Sequence, residues 1–319
     1  MSTLSRTSYS GCLISDKSLE YYANIGYLPD SVRHTWIILS VVNSIASPLT
    51  IVINLLIIWT VVKDTNLRKV NYNILLAALA VTDLIVGLVV EPLYSFHLVC
   101  FVLGCSTSCT ATPTFIAQIS CAGSTLIIFM VSSVERYLAI EYTQFYLEKV
   151  TTKKIILTTV LACLILPTAT LSARILLSNH GQLQKAPVAV GAGLNILIIL
   201  YCSIKVQVTA YRQRRAIAAQ AATVQLQQEE QEEQERRLQE YKRAFTMGVL
   251  VLASILLYCP YIINAILLAN NGGDRSSLIS TPGFAVTFIH LQSLLNPIIV
   301  SLRLSYIREG VKNKLCCRE

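Results

Sequence analysis

Seven apolar stretches, each long enough to cross roughly 30 Å of hydrocarbon, constrain this chain more than anything else in it. They run at about Trp36–Val62, Ile74–Phe96, Pro113–Val134, Ile155–Leu177, Val188–Gln207, Phe245–Ala269 and Gly283–Leu302. A soluble domain carries about a quarter charged residues; this chain carries 14%, against 54% apolar, with a mean hydropathy of +0.57. The expected fold class is therefore an all-α membrane protein, a seven-transmembrane helix bundle, with the two termini on opposite sides.

Basic residues predict the orientation. One set of connections holds Lys63, Arg68, Lys69, Lys149, Lys153, Lys154, Arg212, Arg214, Arg215, Arg236, Arg237, Lys242 and Arg243, and the tail adds Arg303, Arg308, Lys312, Lys314 and Arg318. The opposite set has only Arg6, Lys17, Arg33, Arg174, Lys185 and Arg275, so the N-terminus is expected outside and the C-terminus in the cytosol. The net charge of +8 is then a matter of topology, and no nucleic-acid partner is needed to account for it. No basic segment followed by a short apolar core opens the chain, so the first span is expected to target it without a cleaved leader. The domain plan is a polar lead over 1–34, a membrane domain over 35–302 with a Gln/Glu-rich connection at 212–241, and an amphipathic helix and tail over 303–319. Glu232/Arg236 and Glu233/Arg237 at i,i+4 predict that helix extends into that connection.

Charges inside the spans are few. Glu135-Arg136-Tyr137 closes an otherwise uncharged run from Phe115 to Val134. A charge at mid-bilayer costs roughly 2.5–3.5 kcal/mol, so this pair is expected at an interface and turned toward other helices. As a bare motif it reads equally as a switch or as a headgroup anchor. Asp83 sits deep in the second span, where an ionisable residue needs an ion, a proton or polar partners. Glu91, two turns on, is either a pocket carboxylate or a group reaching for the outer interface. Asn54 is either an interhelical donor or satisfied by its own helix. Leu304, Ile307, Val311 and Leu315 form one stripe opposite Arg303, Arg308, Lys312 and Lys314, the pattern of an interfacial helix, and Cys316-Cys317 after it suit palmitoylation. Of ten cysteines, Cys12, Cys100, Cys105 and Cys109 are expected outside, where one or two disulfides can form.

Asn54, Leu79-Ala80-x-x-Asp83, Glu135-Arg136-Tyr137, Pro260-Tyr261, Asn296-Pro297 and the basic helix with its cysteine pair, in this order on seven spans, resemble the rhodopsin-like (class A) G protein-coupled receptors. The resemblance covers about residues 36–317. It implies a receptor without catalytic activity, in the plasma membrane, whose partners are an extracellular ligand, a heterotrimeric G protein, arrestin and membrane lipids. It assigns Arg136 to a switch with Glu135 and Glu240, the latter twenty residues before Pro260. Tyr137, Tyr201, Asn296 and Pro297 join that switch. An allosteric sodium ion, the sole candidate cofactor, is implied at Asp83, Thr125 and Asn296. The ligand positions are Glu91, Tyr94, Gln118, Tyr258, Tyr261 and His290; a hydrogen bond from His290 to Asn43 is the plainer account of that histidine.

The chain departs from this family in several places. Tyr258 replaces the usual sixth-helix Trp, Ser254 a Phe, Val300 the seventh-helix Tyr and Gly193 a fifth-helix Pro, and the fourth-helix Trp is missing. The connection from Ser178 to Pro187 has no cysteine, as in melanocortin-like receptors, which makes a Cys12 link or a bridge among Cys100, Cys105 and Cys109 the expectation. Gln118, where amine receptors carry Asp, argues against an amine ligand. A weakly signalling or decoy receptor is the alternative. A transporter is less favoured, since the sequence has neither an internal repeat nor paired broken helices.

Overall fold

The computed structural model describes residues 30–103, 108–176, 186–221, 228–270 and 281–315, and among them every ordered element is a helix. α1 (Asp30–Lys63) leads to the short α2 (Thr65–Arg68). α3 (Asn71–Ile85) and α4 (Glu91–Val102) are joined without a break by a π-helical turn, Val86–Val90. Then come α5 (Ser108–Glu141), α6 (Thr143–Lys149), α7 (Thr152–Leu176), α8 (Ala186–Ala221), α9 (Gln228–Asn270), α10 (Thr281–Arg303) and α11 (Ser305–Leu315). Seven of these are long and apolar enough to span a membrane: Asp30–Lys63, Asn71–Val102, Pro113–Glu141, Thr152–Ala169, Val190–Gln213, Glu235–Ile263 and Gly283–Arg303. Helix is the form such runs must take in lipid, because each backbone N–H and C=O finds its partner within the same segment.

Side-chain exposure runs opposite to that of a soluble protein. Ile38, Ile45, Val52, Leu161, Leu164, Leu197, Ile204 and Leu256 are half or more exposed, while Asn43, Asn54, Asp83, Glu91, Arg136 and His290 are buried. An apolar surface of that extent belongs against acyl chains, and the polar groups avoid them by turning inward. The protein is a multi-pass membrane protein.

Contacts divide the chain into two compact units. The first comprises 1–55, 81–122 and 253–295; the second comprises 56–80, 123–252 and 296–319. In the first, Val32, Trp36, Leu39, Tyr94, Leu98 and Phe101 form an apolar cluster. In the second, a larger core gathers Ile57, Val61, Tyr72, Leu76, Phe129, Met247, Leu250, Val300, Leu304 and Ile307, among others. Val300, which stands where the resembled family has Tyr, is 3% exposed in that core.

Three local features were not legible beforehand. The first is the π turn. Pro92 offers no N–H to the carbonyl four residues back, and its ring crowds that carbonyl, so the preceding turn widens and the N–H of Glu91 bonds Val86 O instead. The second is the contact that this turn makes. A Cβ on Gly87 would lie 3.1–3.2 Å from Ile51, Ser47 O and Thr50, and Ser47 Oγ donates to Gly87 O at 2.8 Å. The third concerns α11. Its apolar stripe is covered by protein: Leu304 and Ile307 lie in the second unit's core, Val311 packs against it, and Gly310 lies so close to Thr60 that no side chain fits between them. The lipidation candidates Cys316 and Cys317 fall outside the described residues, as do Cys12 and Cys105 and the side chain of Cys109; Cys100 is buried.

Candidate functional site

In the first unit, polar groups knit α1 to α4 and α10. Asn43 Nδ2 donates to Leu39 O at 2.8 Å and to Thr287 Oγ1 at 2.9 Å, which leaves Asn43 Oδ1 to accept from His290 Nδ1 at 2.8 Å. That acceptor fixes the imidazole tautomer: the proton is on Nδ1, so Nε2 keeps its lone pair. The plainer reading of His290 is therefore the one seen. Tyr94 stands edge-on to His290 with ring centres 5.1 Å apart, and its hydroxyl donates to Gly283 O at 3.3 Å. Gly283 permits this seam, since a Cβ there would press on Leu39 Cδ1 at 2.9 Å. Asn54 resolves its two readings by doing both: Nδ2 donates to Thr50 O at 2.9 Å and across to Ser293 O at 3.0 Å.

Glu91 corrects an expectation. It does not reach toward an interface but is 0% exposed, with Thr50 Oγ1 at 3.5 Å from Oε1 and no hydrogen-bond partner for Oε2 among the described residues. The π turn explains this: the widened turn carries Glu91 inward against α1. Gln118 and Tyr258 are half-buried, and Tyr261 is 46% exposed. Of the six ligand candidates, Tyr94 and His290 are in direct ring contact. Ser254 has a role the sequence did not suggest, accepting from Gln292 Nε2 at 2.7 Å between the sixth and seventh spans. Of the three sodium candidates, Asp83 is buried in the first unit, and Thr125 and Asn296 are buried in the second.

The second unit holds the charged triplet, and here the expected partners meet. Arg136 is 2% exposed. Its Nε bonds Glu135 Oε2 at 2.6 Å, its Nη2 bonds Glu135 Oε1 at 2.5 Å, and its Nη1 pairs with Glu240 Oε2 on α9. The Tyr72 ring lies 5.0 Å from the guanidinium carbon. Two carboxylates and a ring face thus replace the water that a buried arginine loses. Glu135 is held in turn by the Tyr146 hydroxyl on α6; Asn71 Nδ2 donates to Tyr146 Oη at 2.9 Å, and Thr152 Oγ1 donates to Asn71 Oδ1 at 2.7 Å. Burial, and then the neighbouring Glu135 carboxylate, raise the Tyr146 pKa far above the phenolic value, so its hydroxyl remains a donor. Tyr137 turns away from this cluster, edge-on to Tyr142 at 5.6 Å and to Tyr201 at 6.0 Å. Tyr201 is 55% exposed.

Several members of this site went unpredicted: Asn71, Tyr72, Arg243, which pairs with Glu240, and Tyr306, whose ring centre lies 5.7 Å from the Arg243 guanidinium carbon. The signal for Arg243 was available, since it follows Glu240 by three residues. The α8–α9 contact was also missed. Gln207 Nε2 donates to Ala244 O at 2.8 Å, passing over Gly248, where a side chain would collide with it. Beside Arg136 a cavity of about 10 Å³ is lined by Ser133, Ser203, Gln207 and Met247, room for a single water. Arg136 is enclosed on every described side.

Residues 53–189 match the family model described as 7 transmembrane receptor (rhodopsin family). None of the curated protein sequences compared matches this chain. Among solved structures, squid rhodopsin superposes with a TM-score of 0.75 at 17% identity, covering 98% of this chain and 93% of its own. At that identity the superposition speaks for the fold, and the family model speaks for the sequence. Together they support a rhodopsin-like, class A G protein-coupled receptor.

Proposed function

We propose that this receptor lies in the plasma membrane with its N-terminus outside, binds an extracellular ligand among the helices of its first unit, and activates a heterotrimeric G protein through Arg136. The observation that carries the proposal is the enclosure of Arg136 by Glu135, Glu240 and Tyr72. A cation satisfied within its own unit cannot at the same time serve a partner protein, so the arrangement is suited to the resting side of a two-state equilibrium. Ligand binding would favour the other side, in which the Arg136–Glu240 pair opens. The excess of Lys and Arg in one set of connections supports the orientation. The ligand candidates Glu91, Tyr94, Gln118, Tyr258, Tyr261 and His290 all belong to the first unit, and the switch residues all belong to the second. Arrestin would read the same released face, and palmitate on Cys316 and Cys317 would hold the tail at the membrane.

Ligand-independent nucleotide exchange on a panel of G protein heterotrimers tests this reading. Glu240→Gln, which leaves Arg136 one carboxylate short, is expected to raise exchange, and Arg136→Ala to abolish any stimulated response at unchanged surface expression. Undiminished response in Arg136→Ala would sink the assignment, and little or no response in the unsubstituted receptor would favour a weakly signalling or decoy receptor, a reading that Val300 supports by placing an apolar side chain in the core where the family carries a hydroxyl. For Asp83, sodium is expected to weaken agonist affinity in the unsubstituted receptor and to have no effect in Asp83→Asn.

A further inference from the structure

Glu240 serves two arginines. Its Oε2 pairs with Arg136 and its Oε1 with Arg243, three residues along the same helix. An i,i+3 pair on an open helix face is ordinarily two mobile side chains in water. Here the cation is the more enclosed member: the Arg243 side chain is 10% exposed and that of Glu240 is 32%. Tyr306 on α11 forms part of that enclosure, with its ring centre 5.7 Å from the guanidinium carbon. Tyr306 is itself fixed. Its hydroxyl donates to Asn73 Oδ1 at 2.9 Å, Asn73 Nδ2 donates to Leu67 O at 3.0 Å, and the adjacent Ile307 lies in the core. Arg243 Nε has no hydrogen-bond partner among the described residues, so the ring face and Glu240 carry much of its compensation for lost water.

We propose that Tyr306 is a positioning residue for the switch. Holding Arg243 against its ring turns the Glu240 carboxylate so that one oxygen faces each arginine, and α11 thereby favours the closed Arg136–Glu240 pair. The inference rests on the reading of Arg136 and Glu240 as a switch, and its test separates the two.

Ligand-independent nucleotide exchange, normalised to surface expression, is measured for the full-length receptor and for Tyr306→Leu, Glu240→Gln and the double variant. Tyr306→Leu is expected to raise exchange about twofold to fivefold, the population shift that one cation–π contact supplies. The double variant is expected to match Glu240→Gln alone, because Tyr306 acts only through that carboxylate. Tyr306→Phe, which keeps the ring face but loses the hydroxyl's hold on Asn73, is expected to raise exchange less than Tyr306→Leu does. Arg243→Gln removes the same contact without touching α11, is expected to reproduce Tyr306→Leu, and stands in for it if Tyr306→Leu fails to reach the surface. A Tyr306→Leu increment of equal size with and without Glu240, or no increment beside a clear one for Glu240→Gln, overturns the positioning role and leaves the switch intact. No rise in Glu240→Gln overturns the switch and the relay together.

Discussion

Asn43 is the residue on which most of the first unit's polar seam depends. Its amide engages Leu39, Thr287 and His290, three contacts within one buried side chain. Interhelical hydrogen bonds in membranes average about 0.6 kcal/mol each and reach about 1.7, and two of these three contacts cross between helices, so Asn43→Leu is expected to cost roughly 1–3 kcal/mol. A lowered Tm of the purified receptor, read with a thiol-reactive dye, checks this; an unchanged Tm would mean the seam is held by apolar packing alone. Glu91 makes the opposite prediction. A carboxyl group with one long hydrogen bond and no exposure gains little from being ionisable, so Glu91→Gln is expected to leave Tm unchanged or raised. Had Glu91 been an open pocket acid, the same change would instead alter ligand affinity at constant Tm.

At the scale of elements, the spans were legible because hydrocarbon allows so little else. Apolar run length alone places all seven, and basic residues mark their ends. The details that position side chains were less legible, for physical reasons. Pro92 predicts a disturbance but not its form, since a kink, a break and a widened turn all answer a missing N–H. The contact of Gly87 with α1 depends on which face that turn presents, and no local pattern encodes it. Gly87→Leu is expected to force the two helices apart and to reduce folded receptor at the surface severalfold, an overpacking cost of roughly 1–3 kcal/mol. Surface immunolabelling beside Gly193→Leu, whose Cβ would meet open space, supplies the control. On α11, amphipathicity was read correctly, but a stripe of apolar residues does not say whether lipid or protein covers it. Gly310 against Thr60 answers for protein. Gly310→Val is expected to lift α11 from that contact, seen as faster hydrogen exchange over 305–315.

For the whole molecule, sequence motifs indicated the charged switch more fully than the ligand region. Arg136, Glu135 and Glu240 meet because a buried cation has few ways to be satisfied, and it was the resemblance to class A receptors that pointed to Glu240 as the distant partner. Ligand positions depend on rotation about helix axes, and of the candidates Tyr94 and His290 are seen in direct ring contact. Helices α1, α5, α9 and α10 each run uninterrupted through both units.

The widened turn at Val86–Val90 also acts as a phase shift. A π turn accommodates about one residue more than an α turn, which rotates the part of the span after Val90 by about 100° relative to an unbroken helix. Beyond Val90, positions counted along the span from Asp83 therefore point to faces one residue out of step with the count. Deleting a single residue within the turn would leave an ordinary α turn with Glu91, Tyr94 and Ser95 still facing Thr50, His290 and Ser40, whereas making the turn α-helical at unchanged length would swing all three away. For this stretch, chain length is as much a determinant of the site as residue identity.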